Sequence, residues 1–98
     1  MLRMKYKLDT HRLIDICQRN DVNFVGLFGS MARGDATDQS DIDLLVKFAG
    51  RKSFLALVRL ERELTTAMGR KVDVLTEGSI NPYLRDDILH DLQVIYEA

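Results

Sequence analysis

The sequence predicts a small α+β domain: a mixed β-sheet of about four strands with helices packed against it. Two observations predict it. Short apolar runs of strand length alternate along the chain with segments whose apolar residues recur at helical spacing. No internal repeat, low-complexity tract or Pro/Ser-rich linker interrupts residues 1–98, which therefore read as one domain.

Taken in order, Asp9 or Thr10 can cap a first helix to about Asn20, with Leu13, Ile14, Ile16 and Cys17 as its apolar stripe. Val22 to Phe28 is rich in Val, Phe and Leu and reads as a buried strand ending at Gly29. Gly29 to Arg33 turns from that strand into a short helix, and Gly34 to Ser40 is loop. Asp41 to Phe48 is a second strand, whose Leu44, Leu45 and Val46 demand cover on both faces. Ser53 caps a helix through Met68, with Leu57, Leu60, Leu64 and Met68 on one face and Gly69 as its stop. Lys71 to Leu75 is a third strand. Pro82 suits the first turn of a helix to about His90; Tyr83 and Leu84 beside it read as core, with a docking surface as the alternative. Val94, Ile95 and Tyr96 form a last short strand.

The totals exclude several function classes. A chain of 98 residues buries roughly 60–70% of its unfolded surface, enough for one core. The net charge of -1 gives no global basic surface for nucleic acid or anionic membrane. No apolar run approaches the roughly 20 residues that span a bilayer. Met1 to Lys5 lacks the apolar stretch of a signal peptide. The single cysteine, Cys17, cannot form an internal disulfide, so the expected location is cytoplasmic.

The chemistry concentrates in Gly29-Ser30-Met31-Ala32-Arg33-Gly34 and Ser40-Asp41-Ile42-Asp43-Leu44. Residues two apart on a strand share a face, so Asp41 and Asp43 project side by side. Two adjacent carboxylates repel unless a cation lies between them, and a hard ion such as Mg2+ resolves that conflict. Asp73 is a lone carboxylate in the apolar strand Lys71-Val72-Asp73-Val74-Leu75, and it joins the pair if the third strand lies beside the second. Three carboxylates with two Mg2+ ions suit an in-line displacement at phosphorus, with Asp73 placed to take the attacking hydroxyl's proton. Gly29 admits close backbone approach to a phosphate, and the Ser30 hydroxyl with the N–H groups after it offers an anion site. Arg33, one turn on, can reach a triphosphate. Singly, each feature has a plainer reading: a capped turn, an exposed strand face, an acid paired with an arginine. Together they require the whole set to coincide.

Gly29-Ser30, ten residues, then Asp41-Ile42-Asp43 resembles the signature of the DNA polymerase beta-like nucleotidyltransferase superfamily. The flanking residues, and the ending Asn81-Pro82-Tyr83-Leu84-Arg85 through Val94-Ile95-Tyr96-Glu97, are similar to its minimal nucleotidyltransferase (MNT) members, so the resemblance covers nearly the whole chain. It implies the nucleotidyltransferase fold and an antitoxin that transfers AMP from ATP to a tyrosine of a HEPN-domain RNase toxin. It further implies Asp41, Asp43 and Asp73 as metal-binding and catalytic carboxylates, and Gly29, Ser30 and Arg33 as nucleotide-binding residues. The elements read above use up the chain and leave no acceptor domain, so the acceptor is expected from a second protein rather than a deep small-molecule pocket.

Two other readings stand beside this one. The chain could neutralise its partner by occlusion alone, with nucleotide binding vestigial, or modify a small molecule in the manner of aminoglycoside nucleotidyltransferases. His11 and His90 lack metal-ligand spacing and read as surface residues. Cys17 reads as core, Arg51 and Lys52 as solvated, and Arg85, Asp86 and Asp87 as an exposed helix face.

Overall fold

A computed structural model describes residues 8–98. The opening Met1 to Lys5, read above for a leader, lies outside the described residues. The elements run α1 (Thr10–Arg19), β1 (Val22–Phe28), α2 (Ser30–Arg33), β2 (Ile42–Phe48), α3 (Phe54–Met68), β3 (Val72–Leu75), a 3-10 turn (Glu77–Ser79), α4 (Arg85–Asp91) and β4 (Gln93–Glu97). One four-stranded sheet has the order β3-β2-β1-β4. β1 pairs antiparallel with β2 and with β4, whereas β2 and β3 are parallel, as the crossover through α3 between them permits.

Capping residues set the helix ends. The Asp9 carboxylate accepts the Arg12 N–H at 3.1 Å and starts α1. Ser53 accepts the Ala56 N–H at 3.3 Å and starts α3, which stops at Gly69 in the left-handed conformation with φ 68°. Asp21 turns the chain from α1 into β1 at φ 61°, and its carboxylate holds Lys52 at 2.6 Å, so Lys52 is paired rather than merely solvated.

The sheet is covered on both faces, as the apolar runs of β1 and β2 require. One face carries the larger core: Leu13, Ile16 and Cys17 of α1 and Leu60 and Leu64 of α3 pack on Val25, Leu27, Leu44, Val46, Val72 and Val74. Leu57 and Met68 of α3 pack at its margin. Complete burial of a leucine such as Leu13 or Leu64 contributes about 1.5–3 kcal/mol. The other face carries a smaller cluster of Phe28, Leu45, Ile80 and Ile88 beneath α4. Strand alternation puts Asp43 on this second face with Leu45, and Asp73 with Leu75.

Three expectations are corrected. Asp41 lies immediately before β2 instead of on it. Pro82 sits in a turn closed by the Leu84 N–H on Asn81 O at 2.9 Å, and α4 begins only at Arg85. Because that turn stands outside the helix, Tyr83 is 93% exposed and Leu84 51% exposed, not buried. His11 and His90 are exposed, and Cys17 is fully buried.

Candidate active site

The second sheet face opens into a cavity of ≈ 410 Å³ between the strand ends and α4. Gly29, Arg33, Asp43 and Asp73 line it together, with Phe28, Leu75, Leu84 and Ile88 as its apolar wall. Asp43 and Asp73 are register partners across the parallel β2–β3 pair, so the backbone pairing itself stands the two carboxylates side by side. Asp43 is also the register partner of Phe28, the last residue of β1, which brings the Gly29 turn against it. Gly29 has φ 76° and ψ -155°, a conformation that L side chains rarely adopt, and a Cβ built there would collide with the Asp43 carboxylate.

Asp41 approaches the cluster from the loop side. Lys71 Nζ stands 3.9 Å from Asp41 Oδ2 and 3.7 Å from Asp73 Oδ1, bridging the two. Burial raises Asp43 to about 6, and the charges of Asp73 and Asp41 add to it while Arg33 and Lys71 oppose. Burial likewise raises Asp73, against the pull of Lys71 and with Asp41 adding to the rise. The carboxylates therefore hold more negative charge than their surroundings neutralise.

That imbalance is the chemistry a hard dication satisfies. Mg2+ takes oxygen donors and is commonly held by one or two carboxylates together with substrate phosphates. Among the described residues no three His, Cys, Asp or Glu side chains form a ready-made ion cage. Asp43 with Asp41 and Asp73 nonetheless supplies the right donor type, carboxylate oxygens whose ionised forms burial and mutual repulsion disfavour.

Arg33 reaches the cavity already engaged. Its guanidinium donates to Asp91 Oδ2 at 2.7 Å and to Asp35 Oδ2 at 3.3 Å, contacts that raise its pKa further. Ser30 opens the single-turn α2 beside Gly29 but is absent from the cavity lining. Within that turn the Ala32 and Arg33 N–H groups donate to Gly29 O at 3.1 and 3.0 Å.

Three cavity or cluster residues escaped sequence reasoning. Lys71 had a signal, since it stands two before Asp73 and strand alternation puts both on one face. Asp91 pairs with Arg33 across 58 positions, and Glu61 reaches the cavity from α3; neither has a local signature.

Residues 11–98 match the family model described as polymerase beta, nucleotidyltransferase. The chain belongs to the polymerase beta nucleotidyltransferase family. A Methanocaldococcus jannaschii protein with the provisional name protein adenylyltransferase is 46% identical over 80 residues, which are 82% of this chain and 86% of that relative. A Thermococcus cleftensis relative named protein adenylyltransferase MntA is 32% identical over 78 residues, covering 80% of this chain and 79% of its own. Among solved structures, one provisionally described as a minimal nucleotidyltransferase superposes with a TM-score of 0.74 at 34% identity, covering 86% of each chain. A toxin–antitoxin crystal structure with AMP-PNP shares the fold, with a TM-score of 0.81 at 24% identity over 93% of this chain and 75% of that one. The α+β architecture with its four-stranded mixed sheet is thus the nucleotidyltransferase fold. No helix among the described residues is long and apolar enough to cross a membrane.

Proposed function

We propose that this nucleotidyltransferase is a protein adenylyltransferase that acts as an antitoxin, moving AMP from ATP onto a hydroxyl, a tyrosine, of a HEPN-domain RNase toxin in the cytoplasm. One observation carries the reading: the paired carboxylates Asp43 and Asp73 share an open cavity with Gly29 and Arg33, roomy enough for a triphosphate and open to a docking acceptor. The two relatives named protein adenylyltransferases support the acceptor class. The partner follows from the MNT resemblance of the Gly29-Ser30 and Asp41-Ile42-Asp43 motifs.

In this mechanism Asp41 and Asp43, with Asp73, would hold Mg2+, which when bound would supply charge neutralisation at the phosphates and lower the pKa of the incoming hydroxyl. Gly29 and Ser30 let the triphosphate lie against backbone, and Arg33 adds its forked donors while sharing them with Asp91. The acceptor oxygen attacks the α-phosphorus, the bond to the bridging α–β oxygen breaks, and pyrophosphate leaves. Asp73, side by side with Asp43 across the β2–β3 pair, takes the hydroxyl proton.

The test is the intact mass of the HEPN-type partner after incubation with this chain, Mg2+ and ATP. Gain of AMP that disappears with Asp43→Asn supports the reading. An unmodified partner that is still silenced in a stable complex makes the chain a binding antitoxin instead. AMP transfer to a small molecule without any partner protein would move it to the drug-modifying class.

A further inference from the structure

Among the described residues, the strand that carries Asp73 lies at the edge of the sheet, paired with β2 along one side only. An edge strand leaves alternate backbone N–H groups pointing away from its neighbour, and buried groups of that kind need acceptors. On β3 two such groups, those of Val72 and Val74, are taken up by side chains of α3. Thr65 Oγ1 accepts the Val72 N–H at 3.0 Å, and Glu61 Oε2 accepts the Val74 N–H at 2.9 Å. The spacing is matched. Four helical residues rise about 6 Å and two strand residues about 6.6 Å, so one helix turn registers with one pleat. Asp73 lies between the two clamped residues and projects to the opposite face. Glu61 itself lines the cavity that holds Asp43 and Asp73.

We propose that Glu61 is a positioning residue for nucleotidyl transfer: with Thr65 it stands in for the missing neighbour strand and holds β3 so that Asp73 stays beside Asp43. The inference rests on the adenylyltransferase reading for its kinetic consequence, though not for the clamp. What β3 requires at position 61 is an acceptor of the right reach, not a charge. A glutamine offers the same oxygen to the Val74 N–H, whereas an alanine leaves that donor without a partner. Displacement of a reacting group by a fraction of an ångström lowers turnover while leaving nucleotide binding by other residues intact.

The experiment compares the full chain with Glu61→Ala, Glu61→Gln and Thr65→Val, reading amide hydrogen exchange at Val72 and Val74 by NMR and AMP transfer to the partner. Glu61→Ala is expected to speed Val74 exchange by about tenfold or more. Its kcat should fall on the order of tenfold or more, with KM for ATP held within about twofold. Glu61→Gln is expected to restore both. Thr65→Val should deprotect Val72 in the same way, and it decides the matter if Glu61→Ala does not fold. Unchanged exchange in Glu61→Ala and Thr65→Val would overturn the clamp. A Glu61→Gln protein as impaired as Glu61→Ala would overturn the positioning role and assign the function to charge. Absence of transfer by the wild-type chain would defeat the adenylyltransferase reading alone, since Val74 exchange still decides the clamp.

Discussion

Gly29 and Asp43 occupy one another's space: the carboxylate of Asp43 fills the position where a side chain at residue 29 would begin. The turn that leaves β1 and the acid on β2 are therefore a single fitted unit, and a change to either is felt by both.

Gly29→Ala is expected to destabilise the fold and to push Asp43 away from Asp73. The positive φ of 76° alone costs on the order of 1–3 kcal/mol for a residue with a Cβ. Urea unfolding should show the loss, and AMP transfer should fall with it. Wild-type stability and activity in this variant would show that the turn relaxes freely.

Asp43→Asn should remove activity yet stabilise the metal-free chain at neutral pH. Asp43 titrates at about 6 in the fold against an ordinary 3.8, so the fold favours its protonated form. That preference helps the native state fully below 3.8 and is lost as pH rises through about 6. Asparagine mimics the protonated form at every pH. Its advantage should be on the order of 1–2 kcal/mol above pH 6, once solvent screening of a half-buried group is allowed for. It should vanish in acid. Activity should fall by more than the roughly 100-fold typical of losing a ligand's supporting partner. Denaturation midpoints across pH, with and without the substitution, check the first part.

Protons and Mg2+ should compete for the carboxylates. A site whose Asp43 is half-protonated near pH 6 must release that proton to receive a dication. Calorimetric titration is expected to show apparent Mg2+ affinity weakening as pH falls through about 6, with proton release on binding. Affinity that is flat from pH 5 to 8 would remove Asp43 from the ligand set.

Arg33→Lys is expected to raise KM for ATP by about tenfold, because an ammonium keeps the charge but lacks the planar fork that meets two phosphate oxygens. Its melting temperature should barely move, since the pair with Asp91 is half solvated on the arginine side. An unchanged KM would place the triphosphate elsewhere.

Leu64→Ala tests the larger core. Leu64 is fully buried between α3 and the sheet, so truncation should cost about 2–5 kcal/mol. In a domain of this size that is a large share of the total, and the urea midpoint should drop accordingly.

Elements with strong local signals were legible in the sequence. The stripe of Leu13, Ile16 and Cys17, the Ser53 cap and Gly69 stop of α3, and the apolar runs of β1 and β2 each state their structure within a few residues. The turn at Asn81 to Leu84 misled because proline suits either a helix start or a β-turn. The Asn81 side chain and carbonyl, which accept the Tyr83 and Leu84 N–H groups, decide for the turn. At the site, the convergence of Asp43 with Asp73 was legible conditionally, as it needed β3 beside β2. The pairing of Arg33 with Asp91 was not, because it depends on where α4 lands after the chain has crossed the sheet.

Cys17 has a practical consequence. Its thiol is fully enclosed by the α1–α3 layer, and burial, with Glu63 nearby, pushes it up to about 12. A thiol so shielded is unreactive until that layer parts. The rate at which an alkylating reagent labels this lone cysteine is thus a native clock for opening of the main core, readable by mass alone and without any engineered probe.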